Sequence, residues 1–233
     1  MPFKTTDMIN HAYYHDEFQL FIVYAPLGYG KSTFAFKVLS ELYDGDWEKV
    51  KQRIVFPPED FVKLCIDMNK KGRREKAIVW DDAGLWLFAL QRNDIFVQSV
   101  IKYMNVARTN WGAMILTTPT PSFVTYKMRN FPQHINVKII KVSSDQSRIQ
   151  RLRMAKGYRA WVAPDFKHSG VHRLYEDYFD ATMPDDFYNW YKPLRDGYAK
   201  QASELMNDSL EKLLSKTKKT PAQVQAITQS YTT

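Results

Sequence analysis

The sequence predicts an α/β fold organised on a mainly parallel sheet, and three features carry that expectation. Short apolar runs rich in β-branched and aromatic residues alternate with stretches whose apolar residues recur at helical spacing. The run at 18–24 leads into Ala25-Pro26-Leu27-Gly28-Tyr29-Gly30-Lys31-Ser32-Thr33, a glycine-containing loop that ends in Gly-Lys-Ser and opens a helix. The run at 77–80 ends in the acidic pair Asp81-Asp82.

Strand, glycine loop, Gly-Lys-Ser and helix form the context of a P-loop. A triphosphate concentrates negative charge, and the first N–H groups of a helix point at such a charge with the helix dipole behind them. Gly28 and Gly30 let the backbone curl where a Cβ would clash. Lys31 supplies a mobile cation for the β- and γ-phosphates, and the Ser32 hydroxyl suits Mg²⁺. Pro26, Leu27, Gly28, Tyr29, Gly30, Lys31, Ser32 and Thr33 are therefore the expected ATP-binding residues. Ala25 stands where the strict pattern opens with Gly.

Taken in order, residues 5–15 read as a short helix with Thr6 or Asp7 as N-cap. The P-loop helix runs over 31–43 and stops before the turn Asp44-Gly45-Asp46. Residues 53–56 form a second strand. Pro57-Pro58 then opens a helix to about residue 70, with Phe61, Leu64, Cys65 and Met68 on its apolar face. After the basic turn at 70–74 comes the strand at 77–80. Asp81 is placed to hold the water shell of Mg²⁺, and Asp82 to orient or deprotonate an attacking water. Asp82 is one methylene shorter than a glutamate, so slow hydrolysis is expected.

A helix is predicted over 94–109, followed by a strand at 113–118. Ligand sites in parallel α/β sheets lie at the C-terminal strand ends, which puts Thr117 or Thr118 near the γ-phosphate or the water. A short helix follows Pro121 and reaches Arg129, and a fifth strand covers 135–142. Residues 146–165 read as a basic β-hairpin carrying Arg148, Arg151, Arg153, Lys156 and Arg159. Arg151 and Arg153 share one strand face opposite Leu152 and Met154. Such a ribbon could track a nucleic-acid backbone. A solvated face with edge-protecting charges fits as well. Residues 166–215 read as a helical segment, with two helices interrupted at Pro193 and Gly197, and 216–233 as a disordered tail. The expected organisation is thus a P-loop core at 1–145, the hairpin, the helical segment and the tail.

Composition adds limits. The chain has 233 residues, of which 45% are apolar, enough for one α/β domain with an appendage. The formal charge of +8 favours a polyanionic partner such as DNA. Cys65 is the single cysteine, which excludes an intrachain disulfide. The N-terminus lacks an apolar signal segment and no run is long enough to span a membrane, so a cytoplasmic protein without membrane partners is expected.

The P-loop, the stretch Ile78-Val79-Trp80-Asp81-Asp82-Ala83-Gly84-Leu85-Trp86-Leu87 and the run Ile115-Leu116-Thr117-Thr118-Pro119-Thr120-Pro121 together resemble the DnaA-like P-loop ATPases of spindle-shaped crenarchaeal viruses and related plasmids. The resemblance covers roughly residues 18–145. It implies a fold of the AAA+/ASCE type and a role in replication or maintenance of an extrachromosomal genome. Thr117 and Thr118 match its sensor-1 place. Arg129 matches the arginine finger, supplied in trans within a homo-oligomer, and Arg108 competes for that role. A DNA-translocating motor and a nucleoside or nucleotide kinase are the alternatives. A partition ATPase is disfavoured, because Pro26 and Leu27 stand where its extra lysine belongs.

Overall fold

Parallel strands need helical crossovers, which cover both sheet faces and demand strands that are apolar throughout. The computed structural model, which describes residues 2–91, 94–132, 134–142, 151–162 and 169–216, is built this way. Its elements are α1 (Lys4–Tyr14), β1 (Gln19–Tyr24), α2 (Lys31–Leu42), α3 (Trp47–Lys51), β2 (Ile54–Val55), α4 (Pro58–Lys71), β3 (Glu75–Trp80) and α5 (Ala83–Trp86). They continue with α6 (Ile95–Met104), β4 (Trp111–Thr118), α7 (Tyr126–Arg129), β5 (Ile135–Lys141), β6 (Leu152–Val162), β7 (Ser169–Asp180) and α8 (Asp185–Lys216). Turns of 3-10 helix lie at Ala89–Gln91, Ala107–Thr109 and Pro121–Phe123.

One sheet of seven strands has the order β2-β3-β4-β1-β5-β6-β7. The first five strands are parallel. The last two are antiparallel additions. The fold is thus the expected α/β one with a mainly parallel five-stranded core, and the hairpin continues the same sheet. The register puts Leu20, Ile22, Ile78, Trp80, Met114 and Leu116 on one face, packed against Phe61 and Met68 of α4, Val100 and Met104 of α6, and Met128 of α7. Phe21, Val23, Val79 and Ile115 point the other way, where α1 and α2 lie against β3 and β4.

Several expectations are corrected. The second hairpin arm, β7, occupies Ser169–Asp180, where a helical segment was predicted. Its buried residues Tyr175, Asp177 and Phe179 do alternate, but an acid at a core position hides the period of two. The C-terminal helix is a single element with Pro193 inside it, not two helices. The predicted helix at 94–109 ends at Met104 and gives way to a separate turn. Helix α3 was not foreseen, although Asp46 caps it by accepting from the N–H groups of Glu48 and Lys49. Residues 217–233, read as a tail, lie outside the described residues. The chain divides into two compact units, Met1–Met183 and Pro184–Thr233. The first holds the whole sheet. In the second, Phe187 of α8 contacts the rings of Trp190 and Tyr191 one turn on.

Helix α1 ties the hairpin to the core. Neither Thr6 nor Asp7 caps it; the N-cap is Phe3, which has no side-chain acceptor to offer. Two remote carboxylates take that role. Glu41 of α2 accepts from the Phe3 N–H at 2.9 Å and the Thr6 hydroxyl at 2.6 Å. Asp177 of β7 accepts from the N–H groups of Lys4 at 2.8 Å and Thr5 at 3.2 Å. Acids belong at this positive end of a helix. At the other end the Arg74 guanidinium donates to the carbonyls of Ala12, Tyr13 and Glu17.

Burial pushes the Asp177 carboxyl above its ordinary value, outweighing the N–H donors from Lys4 and Thr5 that pull it down. A folded-state value raised in this way means stability falls as pH rises through it. Asp177→Ala should cost about 1–3 kcal/mol, because two helix N–H groups lose their acceptor. Asp177→Asn should cost less and abolish that decline with pH. Urea unfolding of each variant across the acid range checks both outcomes.

Candidate functional site

The loop between β1 and α2 has the backbone a phosphate cradle needs. Gly28 and Gly30 are both left-handed, with φ of +76° and +89°. A Cβ at Gly28 would meet nothing, so that glycine is there for its dihedral angle. Gly30 starts α2 directly, with no side-chain cap and no acid in the first turn. The leading N–H groups of a helix have no intrahelical acceptor, and here they open onto the loop. The Lys31 side chain is buried and folds back so that Nζ donates to Pro26 O at 3.3 Å. Ser32 is half-buried, Thr33 is buried, and Leu27 projects outward.

The acidic pair lies one strand beyond the neighbour of β1. Register aligns Ile22 with Leu116 and Leu116 with Trp80, so Asp81 follows at the same sheet edge as the loop. Asp81 is fully buried. The Thr117 hydroxyl donates to Asp81 Oδ1 at 2.6 Å and accepts from the Asp82 N–H at 2.8 Å. One threonine thus sets both acids. Asp82 takes a left-handed conformation with φ 49°, which turns the chain into α5 while its side chain stays half-exposed. Aspartate is among the few residues that tolerate this region.

Gly84 explains the rest of the Asp-Asp-Ala-Gly run. A Cβ there would fall 2.5 Å from Thr118 Oγ1 and 3.1 Å from Phe123 Cβ. Thr118 itself is buried and donates to Thr120 O at 3.0 Å. Of the two candidate threonines, Thr117 therefore serves the acids and Thr118 closes a strand end.

Ser32 and Asp81 are the oxygen donors suited to Mg²⁺, which keeps several waters and takes few protein ligands. The uncapped helix start, the two left-handed glycines and a buried carboxylate fit a Mg²⁺-triphosphate. No cluster of three or more His, Cys, Asp or Glu able to hold a metal occurs among the described residues.

The remaining predicted residues scatter. Arg129 ends α7, on the crossover from β4 to β5, with its guanidinium 5.7 Å from the Tyr126 ring. Arg108 lies in the turn before β4. Arg148 lies outside the described residues. Arg151 is exposed and precedes β6, which starts at Leu152. Arg153 is half-buried and donates to Leu152 O. Lys156 projects to the opposite face from Arg153 and pairs with Glu176 at 3.2 Å. Arg159 reaches Gln19 Oε1 at 3.5 Å. The expected basic ribbon is split between two sheet faces, since alternation separates residues an odd number apart.

Comparison with known proteins places this chain beside viral proteins. It is 29% identical over 134 residues to the uncharacterized protein B-251 of Sulfolobus spindle-shape virus 1, covering 53% of this chain and 52% of that protein. It is 31% identical over 117 residues to the uncharacterized protein ORF286 of Acidianus two-tailed virus, covering 49% and 41%. The matches span about half the length of these curated relatives, or less. No protein-family model matches the chain. Among solved structures, the N-terminal domain of zonular occludens toxin from Neisseria meningitidis aligns with a TM-score of 0.37 and 15% identity, covering 73% of this chain and 97% of that one. A KaiC-like protein from Pyrococcus horikoshii aligns with a TM-score of 0.36 and 16% identity, covering 68% and 89%. No helix among the described residues is long and apolar enough to cross a membrane.

Sequence reasoning missed the neighbours of the loop on its other side. A Cβ at Gly30 would lie 3.3 Å from Ala181 Cβ and 3.6 Å from the Phe179 ring, so the exit of β7 packs on the P-loop. Lys141, at the end of β5, holds Nζ 4.8 Å from the Tyr29 ring centroid. Nothing local in the sequence marks these contacts, because they depend on where the hairpin joins the sheet.

Thr117→Val keeps the shape but removes the hydroxyl, and should destabilise the apo protein by about 1–3 kcal/mol because a buried acid loses one of its hydrogen bonds. Gly84→Ala should cost a similar ~1–3 kcal/mol through overpacking on Thr118. Chemical unfolding without nucleotide measures both; a Thr117→Val protein as stable as wild type would contradict the role given to its hydroxyl.

Proposed function

We propose that this chain is a Mg²⁺-dependent P-loop ATPase that works on DNA in the replication or maintenance of an extrachromosomal genome. The observation that carries the ATPase reading is the Thr117 bridge. It fixes two acids of different exposure at the same sheet edge as a glycine-wrapped, uncapped helix start. A buried acid suits a metal shell and a half-exposed one suits water. Mg²⁺ bound at the site would neutralise charge on the transferring phosphoryl group. Ser32 and Asp81 hold that ion or its waters. Lys31 leaves Pro26 O for the phosphates. Asp82 orients the attacking water and draws its proton. Its short side chain makes turnover slow.

The DNA role is supported by the resemblance described above, the +8 charge and the exposed Arg151. Arg129, at the end of the crossover helix α7, acts as an arginine finger toward a neighbouring copy.

Lys31→Ala should abolish ATP binding with the fold intact, read by calorimetry and circular dichroism. Asp82→Asn should keep Mg²⁺-dependent ATP binding while lowering turnover at least ~100-fold, by analogy with losing a general base. Asp81→Asn should instead weaken the Mg²⁺ dependence of binding. Equal, mild losses in both would break the division of labour. Turnover measured with and without single- and double-stranded DNA tests the DNA role, which fails if neither changes the rate.

A further inference from the structure

We propose that Tyr29 and Lys141 form the nucleoside subsite, and that it takes the purine base of a purine nucleoside triphosphate. This inference rests on the P-loop reading above and extends it to the part of the ligand that the loop does not hold.

The direction of the ligand follows from topology. The P-loop strand β1 lies between β4 and β5. The acids that serve the metal and the terminal phosphate stand on the β4 and β3 side. A triphosphate anchored over the start of α2 with its terminal phosphate on that side must send its nucleoside to the other, over the end of β5. That is where Lys141 ends its strand, and where its ammonium stands 4.8 Å from the Tyr29 ring.

The local chemistry suits a base. Tyr29 is half-buried, so its ring is held yet presents a face. The loop beneath it is braced by Phe179 and Ala181 against Gly30, which fixes the ring relative to the phosphates. Lys141 is exposed, and a lysine stem is flexible. Swinging off the ring, it frees the face for stacking and brings its donors to the base edge. A purine offers N7 as an acceptor there and a larger stacking surface than a pyrimidine. When the base arrives, the Tyr29 ring exchanges the cation for a stacked base and the cation exchanges the ring for the N7 acceptor, so little is lost. Arg153, the cross-strand partner of Lys141, keeps the same edge positive.

The test compares ligands with and without a base on the full chain. Calorimetry with Mg²⁺ would measure ATP, CTP and inorganic tripolyphosphate against wild type, Tyr29→Leu, Lys141→Gln and Lys31→Ala. Wild type should prefer ATP to CTP. Tyr29→Leu should weaken ATP about tenfold, the scale of one lost base stack, and erase that preference, while tripolyphosphate changes by less than about twofold. Lys141→Gln should likewise erase the preference, and it stands at an exposed strand end should Tyr29→Leu fail to fold. Lys31→Ala should lose all three ligands. If either variant keeps the wild-type preference, or if Tyr29→Leu loses ATP and tripolyphosphate equally, the subsite is wrong and the P-loop stands. If Lys31→Ala binds all three as wild type does, the P-loop reading itself falls and takes the subsite with it.

Discussion

A fully buried carboxylate must be satisfied, and the site is arranged around the one at Asp81. Taking a hydrogen-bond donor away from such a group costs about 1–3 kcal/mol. The Thr117 hydroxyl donates to it at 2.6 Å and in turn accepts from the Asp82 N–H at 2.8 Å. That second bond holds Asp82 in a left-handed turn, which sends α5 back across β4. The crossing is close enough that residue 84 must lack a side chain beyond hydrogen. One hydroxyl on β4, together with the backbone bonds from the Asp81 N–H to Val55 O and from the Leu85 N–H to Asp82 O, therefore holds the path of the chain from residue 81 to residue 84. It also explains why a threonine and an Asp-Asp-x-Gly run occur together.

On the far side of β1, the constraint is a helix without its own cap. The N-terminus of α1 is completed by Glu41 from the P-loop helix and by Asp177 from the last strand. Three segments distant in sequence share one set of hydrogen bonds. The hairpin is thereby fastened to the core, and its exit can press on Gly30. A tyrosine adds to this: the Tyr175 hydroxyl accepts from Thr5 Oγ1 at 2.8 Å, and its ring lies over Gly157, where a Cβ would come within 2.3 Å. Gly157 in the middle of β6 is the space for that ring, and a register shift follows at Gly157/Tyr158. The P-loop thus has acids and a threonine on one side and the hairpin base on the other.

The cations of the hairpin illustrate how far charge counting reaches. Five positive residues close together in sequence suggested a single ribbon. Strand alternation sends Lys156 to the face opposite Arg153, and β7 supplies Glu176 to meet it. Sequence proximity fixes how many charges a strand carries; the partner strand decides which of them remain available to a ligand.

The parallel core, the P-loop and the acidic strand end were legible in the sequence because each is a local pattern with a local cause. Apolar runs bury on both faces, Gly28 and Gly30 are needed for a left-handed backbone, and an acidic pair ends a strand. The path of β7 was not legible, because Asp177 stands at a core-facing position and is stabilised there by the N–H groups of Lys4 and Thr5 and by the Thr5 hydroxyl, all on α1 and far away in the chain. The single helix α8 was hidden in the same way by Pro193, a local signal for interruption that the helix overrides. Between Thr117 and Thr118 the sequence offered no choice: adjacent residues of one strand face opposite sides of the sheet. Only the positions of β3 and α5 against β4 assign one hydroxyl to the acids and the other to Thr120 O. Local chemistry set what the chain could hold at the end of β1, and the packing of distant segments set which side chains surround it.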